Sequence, residues 1–205
     1  MFFYELNIGM IDYWFPIGVY TSNYSQKDVL KQELSNLISP NVAVADRCDI
    51  WPYWHKQHLT NFVDILKIKS QTVTDFLHWV EQETTIFSRQ FNSKLNYKIS
   101  QGWMNTYYRE DFQEPHIHTG FDFSAIYYVK VPEYSGKLVF ENPLLYHEMR
   151  PIKTSIETTL NQTSAVYTPI EGQLIIFRSN IRHGVYPHKN DEPRVSMAFN
   201  LTENI

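Results

Sequence analysis

The stretch GQLIIFRSNIRHGVYPHKNDEPRVSMAFN, residues 172–200, decides the fold class. It holds a buried-type apolar run from Leu174 to Phe177, a turn, a short run after His183, and an alternating run that opens at Arg194. Glycine, proline and polar residues separate these runs, and no helical periodicity joins them. Short runs bounded in this way are typical of β-strands.

The same pattern extends back to Tyr97. Many short strands with no helical pattern between them favour an antiparallel sandwich or barrel over a parallel sheet with crossover helices. The polar interval 142–163 is longer than most connections, and we interpret it as either a functional lid or a mobile loop. Aromatic and β-branched runs predict eight strands, at 97–108, 115–118, 123–131, 137–141, 164–168, 173–178, 182–186 and 194–201.

The first half of the chain shows helical patterning instead. Ser25 and Asp28 have the spacing of a weak capping box, and apolar residues follow at helical intervals as far as Pro40. A longer helix is predicted from about Thr72 to Phe91. Its apolar stripe consists of Val73, Phe76, Leu77, Val80, Phe87 and Phe91.

The length and composition predict one compact domain. The chain has 205 residues, of which 43% are apolar and 16% aromatic, so it can bury a sizeable core and disorder is a poor interpretation. The predicted fold is mainly β with flanking α-helices. We expect a single domain over 1–205, with a mixed N-terminal part at 1–95 that contributes supporting helices and a β core at 96–205.

Charge and cysteine content exclude several classes of protein. The formal net charge of −4 offers no general attraction to nucleic-acid phosphates. Cys48 is the only cysteine in the sequence, which excludes an internal disulfide and a thiolate metal cluster. Glu5 and Asp12 interrupt the apolar start of the chain, which therefore resembles neither a secretory signal nor a membrane span. We expect a soluble, cytoplasmic protein with no membrane partner, and nothing in the charge argues for a nucleic-acid partner.

Residues 114–120, EPHIHTG, raise the question of a metal site. Side chains two residues apart on a strand point to the same face, so His116 and His118 would project together. Pro115 lacks a backbone donor and marks a strand start or edge, where a metal would be open to a substrate. The pair alone does not establish a metal site, because short His-x-His patterns also occur by chance.

A third histidine strengthens the case for a metal site. His183 lies on another predicted strand, and three ligands on one side of a metal leave the other side free for substrates. Eleven residues later, Arg194 opens a strand on which Ser196 shares its face. A guanidinium and a hydroxyl in this arrangement could hold a carboxylate.

These motifs, taken in order, resemble the core of the Fe(II)/2-oxoglutarate-dependent oxygenases. The resemblance is closest to the prolyl-hydroxylase-like branch and to small oxygenases of this superfamily from bacteria and phages. It implies a double-stranded β-helix core, of the jelly-roll or cupin type, with an N-terminal helical layer. The segments that carry it are YYREDFQEPHIH at 107–118, SAIYYVKVPEYSGKLVFENP at 124–143, PIEGQLIIFRSNIRHGVYP at 169–187 and RVSMAFN at 194–200.

The resemblance also implies site residues and cofactors. Fe(II), 2-oxoglutarate and O2 would be used to hydroxylate an unidentified substrate, a small molecule or a protein side chain, with release of succinate and CO2. A phage-encoded enzyme of this kind would act in the host cytoplasm. The catalytic metal ligands would be His116, His118 and His183. The residues for 2-oxoglutarate would be Arg194, Ser196 and Tyr107, to which we add Tyr128 and Asn105 as candidate contacts.

One position departs from the family pattern. The family usually has a carboxylate as its second ligand, and His118 stands in that place. We favour His118 as a direct ligand because its spacing and strand phase are right. The alternatives are an altered site, or a carboxylate that replaces it, from Asp122, Glu110, Asp111 or Glu141.

Two other functions remain open at this point. A three-histidine metal centre could oxidise its substrate with O2 and no 2-oxoglutarate, as some cupin dioxygenases do. The fold could also serve as a non-catalytic β-sandwich that binds a partner. Arg194 separates the first alternative from the main hypothesis, because such a dioxygenase needs no anchor for a dicarboxylate.

Overall fold

The computed structural model describes residues 17–35, 63–144, 153, 155–156, 158–159 and 161–204. This part of the chain forms two antiparallel sheets. The six-stranded sheet has the order β1-β8-β5-β10-β3-β2, and the four-stranded sheet has the order β4-β9-β6-β7. The strands are β1 Val19–Asn23, β2 Val63–Asp64, β3 Tyr97–Tyr107, β4 Gln113–His116, β5 Phe123–Lys130, β6 Leu138–Glu141, β7 Ser164–Tyr167, β8 Gln173–Arg178, β9 His183–Val185 and β10 Arg194–Glu203.

The two sheets pack face to face as a double-stranded β-helix. One apolar cluster lies between them and joins Tyr128 and Phe177 of the larger sheet to Leu138, Phe140 and Val185 of the smaller sheet. Interdigitation of inward-facing side chains is how two sheets form a sandwich core. The predicted β-rich jelly-roll architecture is confirmed.

The helices cover the outer face of the larger sheet. The described residues form two α-helices, α1 Lys27–Leu34 and α2 Gln71–Arg89. Their apolar stripes are buried against alternate strand residues, and the Phe76 ring of α2 lies 4.6 Å from the Tyr127 ring of β5. Because successive strand residues point to opposite faces, this second core leaves the inner face of the sheet free for a site.

The helix boundaries differ slightly from the prediction. The Ser70 hydroxyl caps α2 by accepting from the Val73 N–H, so the helix begins at Gln71. The predicted capping box at Ser25 is wrong, because α1 begins after Gln26 and has no side-chain cap. The predicted continuation of α1 to Pro40 lies outside the described residues.

All eight predicted strands are present, each with bounds within two residues of the prediction. Sequence reasoning missed β1 and β2, which pair with β8 and β3 at the two sides of the larger sheet. Much of the predicted lid or loop at 142–163 lies outside the described residues. In the portion of the chain that the structure describes, no helix is long and apolar enough to cross a membrane.

Candidate metal centre

Three histidines meet at the inner face of the smaller sheet. β4 ends at His116, which lies directly opposite His183, the first residue of β9. One ligand nitrogen from each of His116, His118 and His183 lies within 4.8 Å of the other two. The Nε2 atoms of His116 and His118 are 3.2 Å apart. The structure thus brings together the three residues that the sequence predicted as ligands.

His118 reaches this cluster in a different way from the prediction. It lies two residues beyond the end of β4, not on a regular strand. Its backbone N–H donates to the carbonyl oxygen of Ser179 at 2.9 Å, and this bond holds the segment against the end of β8. This backbone hydrogen bond, and not strand periodicity, therefore places the His118 side chain beside His116.

Backbone carbonyls orient two of the imidazole rings. His116 Nδ1 lies 2.8 Å from the Glu114 carbonyl oxygen, and His183 Nδ1 lies 2.9 Å from the Ile181 carbonyl oxygen. A carbonyl only accepts, so each Nδ1 carries the hydrogen and each Nε2 keeps its lone pair. This arrangement directs Nε2 of both rings toward a shared metal.

Burial keeps the three rings in the form that binds metals. It lowers the pKa of His183 to about 3 and the pKa of His118 to about 4, and the neighbouring His116 adds to both shifts. The pKa of His116 is also lowered by burial, against a smaller opposing effect of its bond to Glu114. A metal ligand must be a neutral imidazole, which these rings are near pH 7.

The donor set fits one divalent metal ion. Two nitrogens bound side by side to one metal, with bonds of about 2.1 Å, lie about 3 Å apart, close to the separation of His116 and His118. Among the residues that the structure describes, no carboxylate joins the cluster. Imidazole suits iron, copper, nickel and zinc, so the site can hold iron although the donor set does not select it alone.

The four carboxylates considered as replacements for His118 are engaged elsewhere. Glu141 pairs with Arg182, and Glu110 pairs with Lys189. The other two accept backbone hydrogen bonds, Asp111 from Tyr108 and Asp122 from Glu203. These contacts favour His118 over any of the four as the ligand, in agreement with the sequence-based preference.

A cavity between the sheets connects the histidines to the candidate residues for 2-oxoglutarate. β10, β5 and β3, the central strands of the larger sheet, form one side of its wall. All eight residues predicted from the sequence line it: His116, His118, His183, Arg194, Ser196, Tyr107, Tyr128 and Asn105.

Arg194 is buried in this cavity without an acidic partner. Only 1% of its surface is exposed, and no described carboxylate forms an ion pair with it. Nη1 donates to the Gly136 carbonyl oxygen at 2.8 Å, and the guanidinium lies 4.1 Å from the centre of the Tyr107 ring. Nε has no hydrogen-bond partner among the described residues. Since a buried charge without a counter-charge is costly, such an arginine favours the binding of an anion.

Tyr128 supplies a second unsatisfied donor. Its hydroxyl is buried and has no hydrogen-bond partner within the described residues. Burial raises the pKa of Tyr128 to about 12, even though nearby Arg194 opposes the shift, so the hydroxyl stays protonated. Ser196 lies directly across the strand pair from Tyr128 on one side and from Asn105 on the other. A bound carboxylate would satisfy Arg194 and Tyr128 together, which fits 2-oxoglutarate.

Sequence reasoning missed two residues of the site. Gly136 matters through its carbonyl oxygen, which accepts from Arg194, and it was not among the candidate site residues. Trp103 lines the same cavity, half-buried, and its indole ring lies 6.0 Å from the His118 ring. Its position two residues before Asn105 on the same strand could have indicated this.

Part of the chain matches a known protein family. Residues 101–200, just under half of the chain, match the model of a family described as "Putative 2OG-Fe(II) oxygenase". This match spans all eight candidate residues. No curated protein matches the chain. The resemblance to the Fe(II)/2-oxoglutarate-dependent oxygenase superfamily is thereby confirmed.

Solved structures show the same fold at low sequence identity. An oxidoreductase of the 2OG-Fe(II) oxygenase family from Burkholderia pseudomallei is 14% identical, with a TM-score of 0.58 over 90% of this chain and 84% of that one. A Pseudomonas putida prolyl-4-hydroxylase is 13% identical, with a TM-score of 0.61 over 92% of this chain and 94% of that one. The non-heme alpha ketoglutarate dependent epimerase SnoN from nogalamycin biosynthesis is 11% identical, with a TM-score of 0.62 over 91% of this chain and 78% of that one. A hydroxylase and an epimerase share this fold, so the fold alone does not define the reaction.

Proposed function

We propose that this protein is an Fe(II)- and 2-oxoglutarate-dependent dioxygenase that hydroxylates a small molecule or a protein side chain. The observation that carries the proposal is the buried Arg194, which has no acidic partner and lines one cavity with three neutral histidines. A cation and a facial metal site in one enclosed space suit a dicarboxylate that binds the metal at one end. The family match and the fold support the same conclusion.

Each residue has a defined role in this proposal. His116, His118 and His183 hold Fe(II) from one side, and Arg194 and Ser196 bind the far carboxylate of 2-oxoglutarate. The hydroxyl of Tyr128 donates a further hydrogen bond, while Tyr107 stacks beneath the guanidinium and keeps it in place. Asn105 lines the same cavity, directly across the strand pair from Ser196.

The cofactors supply the oxidising chemistry when bound: with O2, 2-oxoglutarate loses CO2 and becomes succinate, and one oxygen atom enters succinate while the other enters a C–H bond of the substrate. The protein orients the reactants and excludes water. The apolar side chains of Phe177, Ile126 and Val185 line the same cavity and limit the access of water to the metal.

The three-histidine donor set also favours one alternative, a dioxygenase that uses O2 without 2-oxoglutarate. Three neutral imidazoles give the metal no negative charge, unlike the two histidines and one carboxylate usual in the family. In this alternative the buried Arg194 and the unpaired Tyr128 hydroxyl would have no ligand. We therefore rank it second.

Anaerobic titration with Fe(II), with and without 2-oxoglutarate, tests the proposal. Chelation of 2-oxoglutarate by the iron is expected to produce a visible charge-transfer band, which His183→Ala and Arg194→Ala should abolish or weaken strongly. Arg178→Ala is the matched control, because Arg178 is an exposed arginine on β8. Arg194→Lys serves if the alanine variant fails to fold.

The result separates the three functions. Iron binding without a band would favour the dioxygenase that needs no 2-oxoglutarate. The absence of iron binding by protein with intact histidines would favour a non-catalytic binding module.

A further inference from the structure

The inner face of the larger sheet carries four rows of side chains that run across its central strands. The register of β10 with β3 and β5 defines them. In order along β10, the rows are Tyr107–Arg194, Asn105–Ser196–Tyr128, Trp103–Ala198–Ile126 and Gln101–Asn200–Ser124. The first two rows contain the proposed contacts to 2-oxoglutarate. We call the third the tryptophan row and the fourth the amide row.

The histidine cluster lies at the level of the tryptophan row. The Trp103 ring lies 6.0 Å from the His118 ring, and the two planes differ by 34°. Across the strand pair stands Ala198, whose small side chain leaves room above the sheet. The amide row lies one step further along, on the side of the histidines away from Arg194. All three residues of the tryptophan row, and Ser124 of the amide row, line the same cavity as the histidines, so the two rows lie beside the metal site.

A chain of hydrogen bonds orders the amide row. The Ser124 hydroxyl lies 2.8 Å from the Ser179 hydroxyl and donates to Asn200 Oδ1 at 3.0 Å. Asn200 Nδ2 in turn donates to Gln101 Oε1 at 3.0 Å. Asn200, Ser124 and Ser179 are buried, whereas Gln101 is exposed. The buried members thus fix the orientation of the one amide that a ligand can reach.

This orientation gives Gln101 a defined recognition chemistry. Its Oε1 faces Asn200, so its Nε2 points away and has no partner among the described residues. The amide keeps two N–H donors and one further lone pair on Oε1. The complement of a neutral donor beside a neutral acceptor is another amide. Every side chain of the amide row and the tryptophan row is uncharged, so a charged group would find no counter-charge in them.

We propose that Gln101, held by Asn200, and Trp103 form a substrate subsite for an uncharged carboxamide next to the carbon that reacts. The indole of Trp103 provides a flat apolar wall for the planar amide, and Gln101 provides its hydrogen bonds. This inference rests on the proposed function, because it names the substrate chemistry of the same site. A free carboxamide and a peptide both present this group.

Binding of defined probes tests the subsite. Protein loaded anaerobically with Fe(II) and 2-oxoglutarate is titrated with N-acetylalaninamide, followed by ligand-observed NMR. The matched acid probe is N-acetylalanine, in which a negatively charged carboxylate replaces the terminal carboxamide. We expect the amide to bind at least about tenfold more tightly than the acid.

Two variants locate the effect at Gln101. Gln101→Leu should weaken binding of the amide probe about five- to tenfold, which corresponds to the loss of one or two neutral hydrogen bonds. It should leave the charge-transfer band of iron and 2-oxoglutarate unchanged. The matched control is Gln90→Leu, at an exposed glutamine just past the end of α2, which should change neither measurement.

The outcomes distinguish the two proposals. If the band forms but the amide fails to bind, binds no better than the acid, or is unaffected by Gln101→Leu, the subsite is wrong and the proposed function stands. If no band forms in the unaltered protein, the proposed function itself fails. Where the amide probe does bind at Gln101, a capped uncharged tetrapeptide is compared with N-acetylalaninamide to identify the source of the carboxamide. Tighter binding of the peptide indicates a protein substrate, and equal binding indicates a small molecule.

Discussion

The guanidinium of Arg194 donates to the carbonyl oxygen of Gly136 through Nη1 at 2.8 Å. Gly136 can occupy this position only because it has no side chain. A Cβ at this residue would lie 2.1 Å from the carbonyl oxygen of Tyr186, far inside van der Waals contact. The close approach of these two backbone segments therefore determines how the buried cation is held.

Gly136→Ala should weaken binding of 2-oxoglutarate more than it affects iron. The added methyl group must displace the backbone, and with it the carbonyl that orients Arg194. A hydrogen bond to a charged group contributes about 1.5–3 kcal/mol, so we expect a loss of affinity of about tenfold or more. Titration of the iron-loaded protein with 2-oxoglutarate, followed by the charge-transfer band, measures this affinity.

The control for this variant is Gly120→Ala. Gly120 has a φ of +85°, so alanine is strained there, but an added Cβ would meet no atom within 4 Å. This control should lower stability and leave the affinity for 2-oxoglutarate intact. Equal affinities in the two variants would contradict a positioning role for Gly136.

Tyr128→Phe should stabilise the metal-free protein and impair it as an enzyme. The buried hydroxyl of Tyr128 lacks a partner in the described structure, and leaving such a group unsatisfied costs about 1–3 kcal/mol. Removing it should raise the free energy of unfolding in urea and lower the affinity for 2-oxoglutarate. A variant that is less stable and binds 2-oxoglutarate normally would show that the hydroxyl has another partner.

Substitutions at His118 test the histidine that stands where the family usually has a carboxylate ligand. His118→Ala should reduce Fe(II) affinity by more than about tenfold, because a direct ligand is lost. His118→Glu should recover much of that affinity, since a carboxylate adds a negative charge to the metal site. Competition with a coloured iron chelator measures both values. Iron binding by His118→Ala as strong as in the unaltered protein would exclude His118 as a ligand.

The stability of the metal-free protein should depend on pH through the same histidines. In the folded state the pKa of His118 is about 4 and that of His183 about 3, below the ordinary value of about 6.5. Below pH 6.5 the unfolded chain therefore takes up protons that the folded chain does not, and stability falls with decreasing pH. Each histidine contributes up to about 1.4 kcal/mol per pH unit in this range.

Urea unfolding between pH 7.5 and 4.5 measures this slope. His183→Gln should flatten it, because glutamine does not titrate. The pKa of His188 is also lowered by burial, so part of the slope persists in the variant. A slope that does not change in His183→Gln would show that His183 is accessible to protons in the folded protein.

The sequence predicted the strands of the β core well because their signals are local. Alternation and apolar runs determine which face of β10 carries Arg194 and Ser196, and no distant contact is needed to infer it. The His-x-His pair was predicted for the same reason, although His118 lies beyond the strand. Its position depends on a bond to Ser179, which is distant in the chain.

Other features depend on tertiary contacts and could not be predicted. β2 has only two residues, and only its pairing with Met104 and Trp103 makes it a strand. The roles of Gly136 and Gln101 arise from the approach of segments that are far apart in sequence. Propensity and spacing carry no information about such contacts.

The pairing of His116 with His183 has a consequence for how the protein depends on iron. These residues are opposite each other on β4 and β9 although they are 67 positions apart in the chain. A bound ion would therefore cross-link two short strands, as a disulfide does. Unlike a disulfide, this cross-link would be lost when the ion leaves. Because the ion binds only the assembled pair, scarcity of iron would shift the population toward molecules whose smaller sheet opens locally. Loss of the ion would then lower the stability of the smaller sheet as well as empty the proposed active site.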